Sequence, residues 1–387
     1  MQSSGLAATA DRSADPFQAA SYAEWTRRAL RVRAADPDIA VLFDSTIGEP
    51  AAELAALVRQ AFADPVSSRY VSVFADGNRF ALAALARRYG LKPDQLIATT
   101  GATAALSLVL RSLLQPGDEV LAEQPGFDIH SRMIAEVGCR LKTFPRPSPA
   151  FGVDIEAVLG RMTPQTRVVL ITNLHNPSGA YLEPEAIVAL AQALAPSGAV
   201  LVVDEVYADF AADRRAPPAA KLGANVITIS SLTKVFGLFS LKFGWLAADP
   251  ALVAKVRQAA PDGDIGVSKL SHAVAAHVLE APEAFEAHWR RTLSATRPAV
   301  VAAAEALRRE GVIEGEVPPF GCMYFPRVVG VEDTIGLARE LFERHRVLVA
   351  PGEYFGAPGH VRIGFGADPP MIAQGLERFA EGLRARR

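Results

Sequence analysis

Three apolar, largely β-branched runs, each closing on a polar residue, constrain this chain more than any other feature. Residues 168–172 lead to Asn176, residues 199–203 to Asp204, and residues 225–230 to Lys234. The polar residues lie 28 and 30 positions apart, which leaves room for one strand and one helix in each interval. Strands recurring at that spacing pair in parallel through crossovers, and an open α/β sheet holds its ligand outside the carboxyl ends of its strands. An amide, a carboxylate and an amine are therefore expected along one sheet edge.

Each of these residues has an ordinary reading and a chemical one. Lys234 alone could snorkel from a strand end, but mostly apolar surroundings would lower its pKa and leave a free amine able to attack a carbonyl. Ser231, Thr233 and Lys242 would surround it with the hydroxyls and charge that suit a phosphate dianion. Asp204, at the end of a buried strand, must find a partner or take up a proton. Asn176 precedes Pro177 in a rigid turn that fixes its amide. Gly101-Ala102-Thr103 joins a strand to a helix start, where free N–H groups attract anions. Gly48-Glu49-Pro50 is a turn that brings backbone close to a neighbour. Phe127 follows Pro125 at a strand end, and Arg362 offers a fork suited to a carboxylate. His175 reads as structural or as a support behind the site, because no partner for a base is evident.

The length of 387 residues suits one large domain with a smaller partner, and a net charge near -2 with 21% charged residues favours neither nucleic acid nor a membrane surface. Cys139 and Cys322 have no CxxC spacing and read as buried small residues in a reducing compartment, with no metal site. Residues 1–16 read as a disordered leader without signal-peptide character. Residues 17–45 then give an amphipathic helix and its exit, 46–275 the large domain, and 276–387 a smaller one built on long helices. The fold class is α/β: a mostly parallel sheet sandwiched by helices, with a smaller α+β domain. A cytoplasmic location is expected.

Taken jointly, Gly101-Ala102-Thr103, Pro125 with Phe127, Asn173-Leu174-His175-Asn176-Pro177-Ser178-Gly179, Asp204 with Tyr207, Ser231 with Thr233-Lys234 and Gly237, and Arg362 resemble the class I/II aminotransferases, fold-type I enzymes using pyridoxal 5'-phosphate. The resemblance runs over nearly the whole chain from about Tyr22. It departs at Lys242, which stands where an arginine is usual, and at Tyr70, which lies seven residues before Gly77 where about five is usual.

What the resemblance implies is a Schiff base between Lys234 and the cofactor, with the freed amine moving the α-proton of an amino acid. Asp204 would pair with the ring nitrogen, Tyr207 and Asn176 with the ring oxygen, and Phe127 would stack on the ring. Gly101, Ala102, Thr103, Ser231, Thr233 and Lys242 would hold the phosphate, with Tyr70 reaching it from a partner subunit of a homodimer. Gly48, Asn176 and Arg362 would bind the substrate carboxylate. The implied activity is ping-pong exchange of an amino group between an amino acid and a 2-oxo acid. β-Elimination or decarboxylation remains the alternative on the same fold, and a pyridoxal-binding regulator or a silent metabolite-binding protein are rivals of other classes. Asp262 and Asp264, where side-chain selectivity often arises, suggest a cationic or polar substrate.

Overall fold

A computed structural model describes residues 15–73, 76–214, 216–260 and 266–386. Its centre is a seven-stranded sheet of β1 (Leu96–Thr99), β2 (Glu119–Gln124), β3 (Arg140–Pro145), β4 (Thr166–Thr172), β5 (Val200–Asp204), β6 (Val226–Ser231) and β7 (Gly244–Ala248). The spatial order is β1-β7-β6-β5-β4-β2-β3. Only β7 runs antiparallel to its neighbours. The three polar-tipped runs are thus adjacent strands β4, β5 and β6, paired in parallel.

Both faces of the sheet are apolar, as helical crossovers require. Val168 and Leu170 of β4 enter one buried cluster with Leu106, Val109 and Val256, while Val169 and Ile171 enter another with Ile187, Leu190 and Leu194. The first cluster is covered by α2 (Ala102–Leu113) and α4 (Pro250–Ala259), the second by α3 (Pro184–Leu194). The mostly parallel sandwich expected from the sequence is the fold observed.

Pro16 and Phe17, at the margin assigned to a leader, are buried in a short helical turn, and α1 (Tyr22–Ala35) follows. Residues 1–14 lie outside the described part. Beyond α1, Ala40–Val41 pairs in parallel with Val347–Leu348. A three-stranded antiparallel sheet of β8 (Met323–Tyr324), β10 (Val361–Gly364) and β9 (Ala350–Pro351) carries Arg362 at its centre. The helices α5 (Lys269–Glu280) and α6 (Glu283–Arg309) connect the two regions.

Candidate active site

Register places the candidate residues along one edge. Thr172 pairs with Asp204, Asp204 with Ile229, and both Ser231 and Thr99 with Gly244. The chain therefore leaves β4, β5, β6 and, across β7, β1 at the same edge of the sheet, which gathers Asn176, Asp204, Lys234 and the Gly101 turn.

The Lys234 amine donates to Thr46 Oγ1 at 3.1 Å and lies 5.9 Å from the centre of the Tyr207 ring. The loop that follows is locked onto the Gly48 turn. Ile47 N–H donates to the Lys234 carbonyl at 3.0 Å, and Gly237, at φ +69°, lies so close to the Ile47 and Gly48 carbonyls that a Cβ would come within 2.8 Å of each. The expectation that burial lowers the Lys234 pKa is not met. Burial does act that way, but Tyr207, Asp44 and Tyr22 outweigh it and leave the amine above its ordinary value.

Asp204 retains some exposed surface, and its carboxylate accepts from Val206 N–H at 3.0 Å. Burial pushes its pKa up to about 7, with the Glu123 carboxylate adding to the rise against the Val206 bond and Lys234. A cation placed against it would reverse that cost, as a protonated pyridine would. The Tyr207 hydroxyl is 2.8 Å from Ser45 Oγ.

At the other end of the edge, Gly101 has φ +86° and α2 starts without a side-chain cap. Its first N–H groups are thus left for an anion. Gly244 packs so tightly there that a Cβ would meet the Gly101 backbone at 2.4 Å. Lys242 lies 3.4 Å from the centre of the Phe239 ring and is held below the ordinary lysine value by burial and by the charge on Lys234. Lys242 and a bare helix start fit a phosphate, the Lys234 amine fits an aldehyde and Asp204 fits the ring, so these residues suit pyridoxal phosphate.

Arg362 is 1% exposed. Its Nη1 donates to Asn176 Oδ1 at 2.8 Å, and its Nη2 to the Phe43 carbonyl at 2.9 Å and to the Tyr22 hydroxyl. The Tyr22 and Phe355 rings each lie 4.8 Å from the guanidinium carbon, and Phe127 meets the edge of Tyr22. His175, for which no partner was evident in the sequence, is buried between Ser178 Oγ at 2.6 Å and the Pro125 carbonyl at 2.9 Å.

The sequence of the family Aminotransferase class I and II matches this chain over residues 47–379. The chain belongs to that family. As an aminotransferase it is pyridoxal-phosphate-dependent and acts on amino acid and 2-oxo acid substrates. Capreomycidine synthase of Streptomyces vinaceus is 31% identical over 306 residues, 78% of either chain. Arginine--pyruvate transaminase AruH of Pseudomonas aeruginosa is 30% identical, over 84% of this chain and 86% of its own. The fold of Thermus thermophilus aspartate aminotransferase superposes with a TM-score of 0.80 at 22% identity, covering 98% of this aminotransferase and 100% of that one.

Several contacts of this aminotransferase were not anticipated from its sequence: Thr46 on Lys234, Ser45 on Tyr207 and Tyr22 on Arg362. Thr46 stands two residues before Gly48, and that proximity was the one available signal. Tyr22 read only as a helix residue. Tyr70 and Thr103 are exposed, and Tyr70 contacts Phe62 and Lys269. Asp262 and Asp264 lie outside the described residues. No group of acidic, His and Cys residues among the described ones could hold a metal, and no described helix is long and apolar enough to cross a membrane.

Proposed function

We propose that Lys234 attaches the cofactor and moves the substrate α-proton in a ping-pong exchange between an amino acid and a 2-oxo acid. The observation that carries this reading is the gathering of the Lys234 amine, the Tyr207 ring and the under-bonded Asp204 at adjacent strand ends. When bound, the cofactor supplies an electron sink for the carbanion left by proton loss. Asp204 would hold the ring nitrogen charged, Tyr207 and Asn176 would donate to the ring oxygen, and Phe127 would pack on the ring face. Gly101, Ala102, Thr103, Ser231, Thr233 and Lys242 hold the phosphate. Arg362, steadied by Asn176 and helped by Gly48, takes the α-carboxylate once the Tyr22 hydroxyl gives way.

The enzyme acts as a homodimer in the cytoplasm, with Tyr70 reaching the partner's phosphate. Exposed Val66, Tyr70, Phe239 and Leu270 support the first statement, and two unpaired, buried cysteines the second. A polar or cationic amino donor is preferred, a reading supported by the relative named for arginine. The test is a spectral scan of cofactor-loaded protein against a panel of amino acids, with oxo acid and ammonia assayed together. Expected are oxo acid without ammonia, and no covalent cofactor in Lys234→Ala. Ammonia with oxo acid would replace transfer by elimination, and fastest turnover of aspartate or glutamate would overturn the donor class.

A further inference from the structure

Behind the substrate end of the site lies a charged pair that the reaction itself does not use. Glu123 on β2 and Arg146 just after β3 are 5% and 0% exposed, and Arg146 Nη1 donates to Glu123 Oε2 at 2.6 Å. Desolvating two charges costs more than an ordinary surface pair returns, so the pair is weak evidence for stability and invites a positional explanation. Its bonds supply one. Arg146 Nε donates to the Phe151 carbonyl at 2.7 Å and Nη1 also to the Thr172 carbonyl at 3.3 Å. Glu123 Oε1 accepts both the Thr172 N–H, at 2.8 Å, and the Thr172 hydroxyl, at 2.5 Å.

That leaves the Thr172 oxygen with its proton committed to Glu123 and a lone pair free, and it accepts the Asn176 N–H at 2.9 Å. Asn176 Oδ1 in turn accepts from Arg362 Nη1 at 2.8 Å. Each link is buried, and the series runs from the end of β3, across β2 and β4, to β10. We propose that the Glu123–Arg146 pair, acting through the Thr172 hydroxyl, positions Asn176 and with it the Arg362 fork for the substrate carboxylate. The proposal rests on the assignment of Arg362 to that carboxylate. Glu123, Arg146 and Thr172 are positioning residues and touch neither substrate nor cofactor.

Thr172→Val removes the hydroxyl at nearly constant volume, and Thr172→Ser keeps it. Expected for the valine variant is a KM for the amino donor raised about tenfold, with kcat changed by less than about threefold. Calorimetry on cofactor-loaded protein, with propionate as a carboxylate lacking an amine, should show the same loss of affinity. The serine variant should restore both, while thermal melting of the cofactor-free chain reports on folding alone. Glu123→Leu combined with Arg146→Met keeps an apolar, similarly sized interior, and should raise KM and weaken propionate in a chain that still melts cooperatively.

Unchanged propionate affinity in the valine variant, or a serine variant as impaired as valine, would overturn the proposal. Should the wild type bind propionate but transfer no amino group, the functional reading fails while calorimetry still decides the relay. A wild type that binds no propionate, with Arg362→Ala likewise unaffected, would remove the carboxylate assignment and the relay together.

Discussion

Glu205, one residue beyond Asp204, is a buried acid that accepts from Ala219 N–H and the Thr228 hydroxyl, each at 3.1 Å. Burial pushes its pKa up to about 8 from an ordinary 4.5. Between those values the folded chain keeps a proton that the unfolded chain has released, so stability falls as pH rises through the window and levels off above it. Glu205→Gln should flatten that fall. The drop in unfolding free energy between about pH 5 and about pH 8.5, measured in urea, should shrink by on the order of a few kcal/mol; an equal drop in both proteins would show that the carboxyl ionises freely when folded. Arg362→Lys keeps a charge but loses the fork and the Asn176 geometry. It should raise the amino donor KM about ten- to hundredfold with covalent cofactor attachment intact; an unchanged KM would place the carboxylate elsewhere. At this scale the strand-end residues Asn176, Asp204 and Lys234 were legible, because a polar group ending an apolar run is visible in one dimension. Thr46, Tyr22 and the Glu123–Arg146 pair were not, since their partners lie on other elements and no local pattern records them. The Lys234 pKa was misjudged for the same reason: burial was foreseeable, but Asp44, Tyr22 and Tyr207 could not be placed beside the amine.

Among elements, the start of α2 and the start of β7 form a unit in which backbone touches backbone. A methyl group at residue 244 has no room against Gly101. Gly244→Ala should therefore lower stability by about 1–3 kcal/mol, and weaken cofactor binding further by moving the N–H groups of the Gly101 turn. Equilibrium dialysis of the cofactor against both proteins checks this; equal affinities would mean that the turn does not hold the phosphate. Elements with local start signals were readable: α4 opens at Pro250 after an Asp249 cap, both visible in the sequence. The antiparallel direction of β7 was not readable, since an apolar run buried on both faces looks the same in either sense. Strands as short as Ala40–Val41 owe their pairing wholly to tertiary contact.

For the molecule as a whole, three of the exposed apolar residues, Tyr70, Phe239 and Leu270, lie on or against α5. Leu270 follows Lys269, whose ammonium lies 4.0 Å from the centre of the Tyr70 ring, and the turn Phe239–Leu241 packs against α5. Leu270→Glu with Phe239→Ser should convert a dimer to monomers in sedimentation equilibrium and lower cofactor affinity with it. A dimer of unchanged mass would put the subunit contact on another face.

The segment that holds the lysine in place has its own supports at the far end of the chain. Leu42 bonds with Leu348 and Gly364, Phe43 with Arg362, and Gly48 with Gly366, while Thr46 holds the amine of Lys234. During synthesis these early residues must wait for some three hundred others to leave the ribosome before they find a partner. The seven strands can assemble sooner, so a nascent chain lacking its last few dozen residues would hold the strand ends together but leave the 42–48 segment and the Arg362 strand without their supports. Contacts this distant in sequence form late and slowly, which makes the segment around the lysine the last part of this edge to be fixed.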